Sequence, residues 1–191
     1  MPKKRTNIRK VSREQSQLMD AAQKRLVMMR GIVIHSMTEI ESLIDDLILD
    51  TVVRKEAQEF FLEVLAWPEL TMSLKTRLVE NMPVRDEFKL IRKHVCKQIR
   101  DLAATRNKFA HRLSLMMMDT KKREVTVSLI VKKDDLMEIS EQTLTDFAYK
   151  CAATERMLTR LIYGQKGLKF PAKEKRIWLT PEMASKIDPF E

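Results

Sequence analysis

Arg106-Asn107-Lys108-Phe109-Ala110-His111 stands at the C-terminal end of a basic helical segment that reads from about Arg85 to Arg112. Apolar residues recur along it at Phe88, Ile91, Val95, Ile99, Leu102, Phe109 and Leu113, the stripe of an amphipathic helix facing a core. Four residues beyond Leu102 the count lands on Arg106, so a guanidinium occupies a place where the pattern asks for an aliphatic side chain. A charge on a buried seam is costly unless it is paired or meets an anion. Arg106 is therefore the first candidate functional residue.

His111 is one of three histidines and lies five residues on, with Asn107 four residues before it. At about 100° per residue, Asn107 and His111 fall within roughly 40° of one another, whereas Arg106 and His111 differ by about 140°. One straight helix cannot aim Arg106 and His111 at the same atom. Either the helix unwinds near His111, or a second copy of the chain supplies the missing half, and an isologous contact across this seam brings two Arg and two His together.

The chain of 191 residues is long enough for one domain with a proper core. Few glycines and prolines and 44% hydrophobic residues predict a compact, mainly helical protein. The net charge of +9 is unevenly placed: residues 1–13 carry six Lys or Arg and no acid, and residues 85–112 a net +6. A positive field concentrated on an N-terminal arm and on the motif helix is expected of a protein that meets a polyanion. Cys96 and Cys151 fall on helical patterns and read as buried reduced thiols; no spacing supports a disulfide framework or a metal site. No apolar run approaches the ~20 residues of a membrane span, and a soluble, cytoplasmic protein is expected.

In chain order, residues 1–11 read as a basic disordered arm. Ser12 with Gln15 forms a capping box that starts a long helix through Val53, which Gly31 bends or divides. On it, Glu41 shares a face with Met37, Ile44 and Ile48, where it either pairs with Arg106 or is a surface carboxylate; His35 reads as a surface residue. Residues 55–66 form the next helix, with Phe60, Phe61, Val64 and Leu65 inward, and residues 71–82 a short one whose Lys75 and Arg77 read as a solvated face. After the motif helix, Val125, Val127, Leu129 and Val131 alternate opposite Leu113–Met118, which predicts a β-hairpin over about 113–132. Asp134, Asp135 or Ser140 caps a last helix that repeats at Leu144, Phe147, Cys151, Thr154, Leu158 and Leu161 until Gly164 stops it. The domain spans 12–164, and 165–191 is a partly packed tail.

The stretch Ile99 to His111, with Arg-Asn-Lys-Phe-Ala-His at its end, resembles the signature of the HEPN superfamily: Arg, a polar residue, three more residues, then His. The wording is similar to the branch containing mannitol-operon-repressor-like proteins and several abortive-infection and toxin proteins. Ile40-Glu41-Ser42-Leu43-Ile44-Asp45-Asp46-Leu47-Ile48 resembles the acidic first core helix of that branch, so the likeness covers roughly Val33 to Tyr163. It implies an antiparallel HEPN-like helical bundle that dimerises, with two motifs across the interface cutting RNA to a 2′,3′-cyclic phosphate, and it offers, as the alternative to a solvated face, a basic residue of the 71–82 helix turned toward the substrate.

The residue types suit that chemistry. Metal-independent RNA cleavage needs a base for the 2′-hydroxyl, an acid for the leaving 5′-oxygen and a cation over the phosphorus. Histidine moves protons near neutrality, and the arginine fork matches two phosphate oxygens. Arg106 and His111 are the expected catalytic pair, with Asn107 orienting the imidazole or holding a phosphate oxygen and Glu41 supporting. Arg100, Lys108 and Arg112 are the candidate RNA-binding residues. No cofactor and no metal are expected; RNA, a second copy of the chain, and an antitoxin or regulatory protein are the expected partners. The alternative keeps the same bundle as a non-catalytic regulator or protein-binding module, with Arg106 in a structural ion pair and His111 complementing the helix dipole.

Overall fold

The computed structural model describes residues 13–119, 124–132 and 135–168. Among these, α1 (Arg13–Val52), α2 (Gln58–Leu65), α3 (Met72–Asn81) and α4 (Lys89–His111) precede β1 (Ser114–Asp119), β2 (Glu124–Lys132) and β3 (Asp135–Glu138), and α5 (Glu141–Gln165) closes the domain. The architecture is mainly helical with one small antiparallel sheet. The expected basic arm, the Ser12 end of the proposed capping box, Asp134 as a cap and nearly all of the C-terminal tail lie outside the described residues.

α1 is one helix of 40 residues, and Gly31 does not divide it. Leu26, Met29, Val33, Met37, Ile40, Ile44, Leu47 and Ile48 are buried at steps of three and four, so a single stripe is covered along most of its length. Arg25 pairs with Glu141 at the start of α5 (2.6 Å), and Asp50 pairs with Lys166 just past its end (2.7 Å). α1 and α5 therefore run in the same direction. α4 runs against both: Arg30 in the first half of α1 donates to the Arg112 carbonyl at the end of α4, and Gln165 at the end of α5 reaches Pro83 just before the start of α4.

The predicted α4 stripe is buried at Ile91, Val95, Ile99, Leu102 and Phe109. Leu113 departs from it: it lies beyond the helix end and is 75% exposed. The 55–66 segment also differs. It is a 3-10 turn followed by the eight-residue α2, in which Leu65 is buried but Phe60 and Phe61 face outward. A helix of two turns has room for one narrow contact, and Leu65 takes it.

The expected hairpin forms, with Ser114 opposite Leu129 and Asp119 opposite Glu124. β3 adds a third strand that sequence alternation did not mark, pairing Met137 with Leu129, and Asp135 belongs to this strand instead of capping a helix. Leu129 is fully buried and, with Met116, Val127 and Met137, fastens the sheet to the helical core. This supplies the packing that an isolated two-stranded ribbon lacks.

Ser140 caps α5 through a reciprocal pair with Thr143. The helix does not stop at Gly164. The turn comes at Gly167 (φ +66°), where Gly167 N–H donates to Gly164 and Leu168 N–H to Tyr163, a Schellman ending that favours glycine at the left-handed position. Gly164 serves packing instead: a β-carbon there would run into the Phe88 ring.

Candidate functional site

α4 keeps regular geometry through its last residue, His111, and the Arg112 N–H still donates to the Lys108 carbonyl (3.1 Å). Unwinding at His111 does not occur. The helical phase read from the sequence therefore holds, and Arg106 and His111 look onto different depressions.

His111 lines a shallow depression of about 390 Å³ with Ala104, Asn107, Lys108, Arg112 and Val131. The imidazole is exposed and makes no hydrogen bond or ion pair among the described residues. Lys108 and Arg112 surround it with positive charge. Arg30, whose Nη2 donates to the Arg112 carbonyl (2.8 Å), anchors the chain where it leaves the helix.

Arg106 lines a larger cleft of about 920 Å³ between α1, the α2–α3 connection, α3 and α4. Its side chain is half-buried, and Nη1 donates to the Asn107 amide oxygen (3.1 Å), a neutral partner. Among the described residues no carboxylate forms an ion pair with it. The break in the apolar stripe thus opens onto a cleft, which is how the fold accommodates a guanidinium there. Asn107 borders both depressions.

The floor of the cleft corrects two expectations. Lys75, read as solvated, has a side chain only 3% exposed, with Nζ 2.8 Å from Glu41 Oε1 and 2.9 Å from Asp45 Oδ2. Glu41 therefore pairs with Lys75 and not with Arg106, and it is not a plain surface carboxylate either. The signal was present: Met72, Lys75, Thr76, Val79 and Met82 follow helical spacing, so Lys75 interrupts an apolar stripe as Arg106 does. Asp45, one turn after Glu41, was missed for want of a partner in sequence.

Burial pushes the Asp45 carboxyl above its ordinary range, against the pull of Lys75 and with help from Glu41 and Asp46. Burial works against the Lys75 ammonium too, but its hydrogen bonds to Asp45 and Glu41 prevail and raise its pKa. Lys75 meets Asp45 through Oδ2 alone, and Asp45 Oδ1 is buried with no hydrogen-bond partner among the described residues.

Of the expected RNA-binding residues, Lys108 and Arg112 lie beside His111. Arg100 borders the larger cleft and is engaged with Glu80. His35 is exposed next to Glu39 (3.7 Å). Cys96 and Cys151 are buried free thiols, as expected. Among the described residues no group of three or more His, Cys, Asp or Glu could hold a metal ion, and no helix is long and apolar enough to cross a membrane.

A basic rim with an unengaged imidazole can move protons beside a bound anion, and a guanidinium lacking a carboxylate can bind a phosphate. Within one chain these two capacities occupy adjoining depressions. No family model, no curated protein and no solved structure matches the chain.

Proposed function

We propose that the chain is a metal-independent endoribonuclease of HEPN type whose site is composed across a homodimer, with a role as a toxin or phage-defence effector. The observation that carries this reading is Asn107 on the border of both depressions, on a helix that stays regular through His111. Since one helix cannot converge Arg106 and His111 on a phosphate, a two-fold pairing over Asn107 is the arrangement that does so.

In that site one imidazole takes the 2′-hydroxyl proton as the 2′-oxygen attacks phosphorus. The P–O5′ bond breaks, the leaving 5′-oxygen takes a proton from water whose hydroxide the imidazolium neutralises, and the products are a 2′,3′-cyclic phosphate and a 5′-hydroxyl. Arg106 holds the non-bridging oxygens, and Asn107 orients it through the amide oxygen. Lys108 and Arg112 gather the backbone, which makes binding fall steeply with salt.

The test is cleavage of end-labelled RNA in chelator by wild type, Arg106→Ala and His111→Ala. The wild type cuts and both variants lose at least about a hundredfold, the scale of a general acid–base residue. Equal cutting by all three proteins would remove the assignment. A second reading, a non-catalytic regulator or protein-binding module, is favoured by the outward Phe60, Leu62 and Trp67 on one short stretch. Absence of cleavage together with a stable protein complex would select it.

A further inference from the structure

The larger cleft is more than a seat for Arg106. At about 920 Å³ it is within the range of small-molecule sites and has room for a nucleotide. Its polar groups are arranged asymmetrically. Lys75 holds Glu41 and Asp45 by one oxygen each. The Glu41 side chain is 41% exposed and lines the cleft with its second oxygen uncommitted among the described residues. Trp67, 55% exposed, stands on the wall, and Arg106 closes one side.

We infer that this cleft is a base pocket that selects guanine in the nucleotide next to the cleaved phosphate. The inference rests on the nuclease reading for its place in the reaction, but its chemistry comes from the carboxylate. An ionised carboxylate only accepts hydrogen bonds. Guanine alone among the four RNA bases presents two adjacent donors, N1–H and the 2-amino group, that match both oxygens of one carboxylate, Oε1 of Glu41 accepting one of them through the lone pair that Lys75 does not use. Adenine and cytosine place a ring acceptor beside their amino group, and uracil flanks its single donor with two carbonyls. Each would set a lone pair against Glu41.

Trp67 gives the base a face to stack on, a contact every base can make and which therefore adds affinity without selectivity. Arg106, whose partner among the described residues is the neutral Asn107 amide, takes the phosphate. Lys75 acts as a positioning residue: it fixes the rotamer of Glu41 so that the acceptor edge is preformed.

The experiment follows Trp67 fluorescence in full-length protein carrying Trp178→Phe, which leaves Trp67 as the single tryptophan. Guanosine, adenosine, cytidine and uridine 5′-monophosphates are titrated separately. Guanosine monophosphate binds about tenfold or more tighter than the others, the discrimination of a bidentate base contact. Glu41→Gln, whose amide offers one donor and one acceptor, loses that preference and shifts it toward adenine. Trp67→Ala, read by calorimetry, weakens all four alike and guards against a folding defect in the Glu41 variant. Equal binding of the four nucleotides, or none by folded wild type, would overturn the pocket.

Mapping of RNA ends separates the pocket from the nuclease. Cuts without base preference would sink the pocket and leave the nuclease. Guanine-selective binding without any cutting would sustain the pocket and sink the nuclease.

Discussion

Arg106 and His111 close the same unbroken helix yet border different depressions, and Asn107, with Ala104 one turn before it, lines both. The separation follows from helical phase alone: five residues carry a side chain about 140° around the axis. Asn107 is close to His111 in phase and next to Arg106 in chain, and the proposed pairing of two copies turns on it. Its hydrogen bond from Arg106 keeps the guanidinium at the edge of the cleft.

Lys75 is the stability element of the cleft. Replacing it with Met strands two carboxylates, and a cost of about 2–3 kcal/mol is expected at neutral pH, below the full buried-pair value because Glu41 stays partly solvated. The folded-state pKa of Lys75 lies above its ordinary 10.5. Its contribution is complete below that value and is lost as pH rises through the folded pKa. Denaturant midpoints of wild type and Lys75→Met should therefore converge on the alkaline side. Asp45 behaves in the opposite sense: its raised carboxyl pKa weakens the fold at neutral pH and relents on acidification, so Asp45→Asn costs less than Lys75→Met. A gap unchanged between pH 7 and strongly alkaline conditions would contradict this role.

Two glycines in helices should respond with opposite signs. At Gly31 a β-carbon meets open space, so Gly31→Ala stabilises by about 0.4–1 kcal/mol through helix propensity and a less flexible unfolded chain. At Gly164 the same methyl collides with Phe88, and the expected cost is about 1–3 kcal/mol. Phe88→Ala should relieve much of the Gly164→Ala penalty, so that the double variant falls short of the sum of the singles. Additive costs in thermal unfolding would show that the contact is not what constrains Gly164.

The thiols should be silent in the native state. Burial pushes Cys96 up to about 11 and Cys151 up to about 12, so neither is a thiolate at pH 8, and both are shielded. Modification by a thiol reagent should proceed at the rate of unfolding and follow denaturant concentration. Fast labelling of either cysteine in native buffer would count against this packing.

Repetition made much of the fold legible. Long stripes in α1, α4 and α5 and strict alternation at Val125, Val127 and Leu129 have only one reading, because many residues vote for each period. Short elements carry few votes. α2 contains too few residues to show which face is inward, so hydrophobicity alone points Phe60 and Phe61 to the core, and the fold exposes them. β3 spans only Asp135–Glu138 and is recruited by β2.

At the site, Arg106 and Lys75 broke their stripes in the same way, but Lys75 sits on a helix of ten residues where one charge looks ordinary. Its carboxylate partners lie 34 and 30 residues away in the chain, a distance no local pattern spans. Gly164 and Gly167 show the same limit: composition marks a helix end, and only packing against Phe88 tells which glycine ends it.

The most direct measurement of the proposed composite site mixes two variants that should each be inactive. Arg106→Ala and His111→Ala are purified separately, confirmed folded, unfolded together, refolded at equal concentration and assayed for RNA cleavage. A site assembled from two copies regains one intact combination in each mixed dimer, and random pairing predicts recovery of about a quarter of wild-type activity. If mixed dimers form and the mixture stays as inactive as either variant alone, Arg106 and His111 do not meet across a subunit boundary, and the account fails at its centre.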